Sequence, residues 1–164
     1  MRDKNSEHMD TSQATYAGFW RRLAAYIIDH TILTFIVAIL ALFGGLGALL
    51  AVAVSIAYLV GFWSSTGQTP GKAVVGVRIV NPDGSAISTG SAFVRYLGYI
   101  VSGLILGIGF LIIAFHPRKL GLHDTIAGTQ VIVVPSVLHQ FRSKEEFDSV
   151  LVSADDIQRE YHGI

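Results

Sequence analysis

Asp29-His30-Thr31-Ile32-Leu33-Thr34-Phe35-Ile36-Val37-Ala38-Ile39-Leu40 begins with the last charged residue before Lys72. From 31 to 71 the chain runs for 41 residues without Asp, Glu, Lys or Arg. As continuous helix that run would extend about 60 Å, roughly twice the hydrocarbon thickness of a bilayer. It is therefore read as two crossings back to back. Residues 23–43 form the first span, Gly44-Gly45-Leu46-Gly47 breaks it, and residues 48–63 return. Adjacent glycines weaken a helix and permit a tight reversal. The hairpin so drawn has an uncharged tip, and it brings Trp63 back to the level of Trp20 as one aromatic belt beside Arg21 and Arg22. By the positive-inside rule that edge, and the N-terminus with it, is cytoplasmic.

The rest of the composition agrees. Of 164 residues, 51% are hydrophobic and 15% charged, with a mean hydropathy of +0.52. A soluble domain carries about a quarter charged residues, so the deficit points to a membrane protein with the lipid bilayer as its principal partner. Net charge is zero, which gives no electrostatic reason for a nucleic-acid partner. Cysteine is absent, removing disulfides and thiolate sites together. A cleaved signal does not fit the segment that Arg21-Arg22 opens, because Asp29 falls early in the apolar stretch and that stretch far outruns a signal core.

Working outward, residues 1–15 read as a polar, disordered lead-in. Residues 74–80 are β-branched and predict a strand. Asn81-Pro82-Asp83-Gly84 places Pro and Gly for a turn, after which Ala86-Ile87 would pair back as a hairpin. Residues 129–134 predict a further strand of a small extramembrane sheet. A second charge-free run, 96–117, lies between Arg95 and Arg118-Lys119. Basic residues at both flanks favour a re-entrant segment, kinked at Gly103, Gly107 and Gly109, over a full span. Gly98/Ser102 and Gly103/Gly107 also have the four-residue spacing that permits close helix approach. The tail, 135–164, holds six of the twelve acids and reads as soluble and mostly helical, with helix starts at Ser143-Lys144-Glu145-Glu146 and Ser153-Ala154-Asp155-Asp156. The fold class expected is an all-α integral membrane protein: a two-helix transmembrane hairpin, a third apolar segment and a small extramembrane β-sheet.

Three residues stand out as candidate site residues. An acid in the outer part of a span costs about 2–3 kcal/mol even on the lenient insertion scale, so Asp29 calls for a partner. Arg22, seven residues earlier, lies within about 20° of the same helix face. Asp124 follows the second apolar run and reaches the same edge if that run returns there; it also suits the opening turn of a helix. Gly67-Gln68-Thr69-Pro70-Gly71-Lys72 is one residue short of a phosphate-binding loop, with Ala73 where the magnesium hydroxyl belongs, so it reads as a tight turn. The histidines show no ligand spacing, so no metal, cofactor or catalytic centre is expected, and the chain is not expected to be an enzyme.

Ala17-Gly18-Phe19-Trp20-Arg21-Arg22 with Asp29, then Gly67-Gln68-Thr69-Pro70-Gly71-Lys72 with Gly76-Val77-Arg78-Ile79-Val80, then Arg95 and Leu122-His123-Asp124-Thr125-Ile126-Ala127-Gly128-Thr129, resemble the RDD family of small membrane proteins over 17–134. By position the family's arginine and two aspartates map to Arg22, Asp29 and Asp124; His123 stands where the family often has Gly. The resemblance implies a bacterial inner-membrane protein, often suspected of transport, with some members linked to sodium–proton exchange. It leaves two functions open. In one, Arg22, Asp29 and Asp124 form an ion- or proton-binding cluster. So small a chain offers too few helices to enclose a pathway, and transport then requires a homo-oligomer or a larger membrane partner. In the other, the same residues are a structural clasp in a membrane accessory or assembly factor.

Overall fold

The computed structural model describes residues 15–145. Two long helices, α1 (Phe19–Ala41) and α2 (Gly44–Ser65), form the hairpin. At 23 and 22 residues each extends about 33–35 Å, enough to cross a bilayer. The reversal is tighter than the glycines implied: Leu42 and Phe43 alone form it, and the glycines make the first turn of α2. Gly44 takes a positive φ of 62°, and a Cβ on Gly47 would collide with the Leu40 carbonyl. Phe35, Leu42 and Leu49 stand largely exposed on this hairpin, as side chains in lipid should.

After α2 the chain forms a short helix, α3 (Pro70–Val75), with Pro70 in its first turn and a stop at Gly76 in the left-handed region. The expected strand at 74–80 is therefore shortened to β1 (Val77–Val80), because Val74 and Val75 complete that helix. The expected hairpin with Ala86-Ile87 does not form. The turn at 81–84 is present, but the Asn81 side chain donates to Ser85 Oγ and the Ala86 carbonyl. The edge of β1 is taken instead by β2 (Gln130–Val133), antiparallel, from Val77↔Val133 to Val80↔Gln130. On the other side of β2, Tyr16 bridges Ile132 and the Thr15 carbonyl accepts the Val133 N–H. Thr15 thus belongs to the folded unit; the remainder of the lead-in lies outside the described residues.

The third apolar segment is α4 (Thr89–Leu104) and α5 (Ile108–Phe115), bent by 101°. Leu106 and Gly107, both at positive φ, make the break. A bend of this size is that of a broken span or a re-entrant loop. Arg95 in α4 touches Asp124, which lies beyond α5, so both flanks return to one edge of the bundle. From Arg95 to its end α4 climbs about 14 Å, less than half the hydrocarbon thickness. Gly109 lets α5 fold against Ser102, and Gly98 lets α6 (Leu122–Ala127) approach α4, since a Cβ there would meet His123 Cα at 2.8 Å. Gly103 and Gly107 have no such neighbour.

The core joins this sheet to the ends of α2 and α4 through Ala17, Val60, Trp63, Val77, Ile79, Ile87, Ala92 and Val131. Trp63 is fully buried at its centre, whereas Trp20 is 75% exposed. The shared aromatic belt is corrected accordingly: Trp63 is turned inward, beneath the cations of Lys72 and Arg95. Residues 137–145 are helical, so Ser143 falls inside a helix already under way, and the expected start at Ser153 lies outside the described residues.

Candidate functional site

Asp124 sits at the third position of α6, where its carboxylate Oδ2 accepts the Gly121 N–H at 2.7 Å. The opening-turn role expected of it is therefore present, and it is only part of the residue's work. Arg22 Nη1 donates to the same Oδ2 at 2.5 Å, and Arg95 Nη2 lies 2.6 Å from Oδ1. Each nitrogen of Arg22 has a partner: Nε donates to the Ala17 carbonyl and Nη2 to the Lys119 carbonyl. Arg95 Nη1 donates to Thr129 Oγ1, and its guanidinium lies over Trp63 and Tyr99. One fully buried carboxylate thus holds α1, α4 and α6 together. Burial alone would push Asp124 up, but the Arg95 and Arg22 guanidiniums and the Gly121 N–H hold it below the usual carboxylate range.

Asp29 is held elsewhere. The expected Arg22–Asp29 pairing is replaced, since all three Arg22 donor nitrogens face Ala17, Asp124 and Lys119. Asp29 Oδ1 accepts from the Tyr58 hydroxyl at 3.0 Å and the Gly71 N–H at 2.8 Å, and Oδ2 accepts from the Thr69 hydroxyl. A Cβ on Gly71 would collide with the Ala25 carbonyl and the Asp29 carboxyl, so glycine is required for this docking. The phosphate-loop likeness of 67–72 has a physical basis after all: backbone N–H and hydroxyl groups there do cradle an anion, and the anion is the chain's own Asp29.

Lys72 is the next residue along. It is 6% exposed, its ammonium lies 5.4 Å from the Trp63 ring centre, and among the described residues no carboxylate oxygen is within the 4 Å of an ion pair. Burial pushes it down to about 8 against the opposing pull of Asp29. Asp29, His30 and Lys72 line one open cavity of about 350 Å³ between α1, α2 and α4, with Leu33, Leu59 and Tyr99 further along its wall. Arg95, Lys72, Thr69 and Tyr58 were not singled out as site residues by sequence reasoning. The signal that could have found them was positional: Lys72 is the first charge after the 41-residue run, and Arg95 the last before the second.

His123 fills the space between Tyr99 and Phe110, with ring centres at 4.3 and 5.2 Å. Burial, then the Arg95 charge, pushes it down to about 3, so at 3.6 Å from Asp124 it is a neutral neighbour rather than an ion partner. The unfolded chain takes up a proton near 6.5 and the folded one does not until about 3. Stability therefore falls as pH is lowered through that window, by about 1.4 kcal/mol per unit. Unfolding in detergent should show a loss of about 2 kcal/mol between pH 6.5 and 5. His123→Phe should flatten that limb; an unchanged slope would remove His123 as its cause.

A model of the RDD family matches residues 16–128. Among curated relatives, the Bacillus subtilis (strain 168) protein YxaI is 33% identical, covering 71% of this chain and 96% of the relative. YckC of the same strain is 33% identical over 79% of this chain and 93% of the relative. YteJ, named an uncharacterized membrane protein, is 30% identical over 79% and 88%. No solved structure matches.

Proposed function

This chain belongs to the RDD family of membrane proteins, and on that premise we propose that its Arg–Asp–Asp residues are a structural clasp in a non-catalytic accessory or assembly protein. The observation that carries the reading is how far both acids are already engaged. Both oxygens of Asp124 and both of Asp29 face donors, three to each carboxylate, most of them from distant segments. Asp124 ties the bent α4–α5 segment to the hairpin, and Asp29 ties the 67–72 turn to it. We place this edge on the cytoplasmic side of a bacterial plasma membrane, because Arg21, Arg118 and Lys119 cluster there while the turn at 42–43 is uncharged.

One observation favours a second reading, proton or small-cation transport through Asp29: of the two acids, it is the one that lines the open cavity. That version needs a homo-oligomer or a larger membrane partner to complete a pathway. Purified protein in vesicles, with internal pH followed under sodium or proton gradients, separates the two. The clasp reading expects no flux from wild type. Flux that Asp29→Asn abolishes in a folded protein, while Asp124→Asn variants that still fold retain it, would establish transport and overturn the clasp reading for Asp29.

A further inference from the structure

Among the described residues, the charged side chains enclosed between the helices do not balance. Arg22, Arg95 and Lys72 bring three positive charges, Asp29 and Asp124 two negative, and His123 is neutral. Of the three cations, Lys72 is the one that no carboxylate oxygen approaches within 4 Å among the described residues, although the charge of Asp29 acts on it across the cavity they share. Asp124 is shared by the two arginines, and the oxygens of Asp29 are occupied by Tyr58, Thr69 and Gly71. A buried ammonium with no carboxylate in direct contact is costly, and an oxyanion that reaches it offsets that cost.

The cavity that Lys72 lines continues away from it along mostly apolar helix surface, with Thr34 and Ser55 as polar members of its wall. On α1 it runs past His30, Leu33 and Val37, on one face over about 10 Å, and on α2 past Leu59. At about 350 Å³ it falls within the roughly 300–1,000 Å³ typical of small-molecule sites. Two of its walls, α1 and α2, are long enough and apolar enough to span a membrane, so a ligand with an apolar body fits along them.

We propose that this cavity binds an acidic amphiphile, its oxyanion headgroup on the Lys72 ammonium and its hydrocarbon chain along Leu33, Val37 and Leu59. A carboxylate or a phosphate headgroup supplies the same chemistry: one negative charge and several acceptors for the three ammonium donors. Trp63, against Lys72, stacks beneath the headgroup end.

Trp63 also supplies the readout. The chain has two tryptophans, and Trp20→Phe leaves Trp63 alone. Purified protein in neutral detergent is titrated with brominated fatty acid, brominated phosphatidylglycerol and brominated phosphatidylcholine, and Trp63 quenching is followed. The proposal expects at least one acidic species to quench at about tenfold lower concentration than phosphatidylcholine, the effect of one charge-assisted hydrogen bond. Which acidic species does so identifies the headgroup. Lys72→Met should abolish the preference and Lys72→Arg keep it. Should Lys72→Met fail to fold, Val37→Phe, remote from the charge, should still weaken quenching by the acidic lipid. Equal quenching by acidic and zwitterionic lipids overturns the proposal, as does displacement by millimolar inorganic phosphate, which would make this a site for free anions.

Discussion

Asp124→Asn should cost about 3–5 kcal/mol of folding stability, the typical effect of removing one partner from a buried ion pair. Asparagine keeps an acceptor for the Gly121 N–H, so the loss reports charge rather than shape. It leaves Arg22 and Arg95 as buried guanidiniums with no counter-ion between them. Against a total of about 5–15 kcal/mol this is enough to lower the yield of folded, detergent-extracted protein sharply. Thermal unfolding followed by tryptophan fluorescence measures it. Arg22→Met in the same chain should recover part of the loss, because one of the stranded charges is then gone. A single variant within about 1 kcal/mol of wild type would show that the carboxylate is not what holds α1, α4 and α6 together.

The second large effect is expected at Asp29. Asp29→Ala strands the Thr69 hydroxyl and the Gly71 N–H, both buried, and the Tyr58 hydroxyl, and it removes the negative charge that acts most strongly on Lys72. At about 1–3 kcal/mol for each buried donor left unpaired, the total is about 3 kcal/mol or more. The damage should be local, because Asp29 holds one short segment. With no native cysteine in the chain, Ala73→Cys offers a single thiol on α3. In the Asp29→Ala background it should react faster with a water-soluble maleimide than in the parent. Asp29→Asn should fall between the two, since its carbonyl oxygen still accepts from Tyr58 and Gly71. Equal labelling rates in all three backgrounds would mean that α3 is held by something else.

Much of the architecture was legible in the residues, for a reason that particular elements make plain. The hairpin α1–α2 follows from a charge-free run, and membrane residence depends on summed transfer free energy, a local quantity that needs no knowledge of neighbours. The same holds for the glycine-rich segment 96–117 with basic flanks, whose break near its glycines was expected. Strand pairing was less legible. Residues 77–80 look like a strand by composition, but whether they pair with 86–87 or with 130–133 depends on which backbone arrives at their edge. Trp63 was misplaced for a related reason: an aromatic at the end of a span suits a membrane interface equally well as the core of an adjoining sheet.

The candidate site shows the division most sharply. Arg22, Asp29 and Asp124 were identifiable from sequence because a charge beside a long apolar run is costly and needs an explanation. Their partners were not. Helix periodicity put Arg22 and Asp29 on one face, yet Arg22 pairs with Asp124, 102 positions away, and Asp29 is held by a turn some 40 positions on. Sequence alone determined that this protein lives in a membrane, and it singled out three charges at one edge of the apolar runs. Tertiary structure alone decided which charges neutralise each other. Pairing depends on where side chains from distant segments converge, and that convergence leaves Lys72 without a carboxylate in direct contact among the described residues.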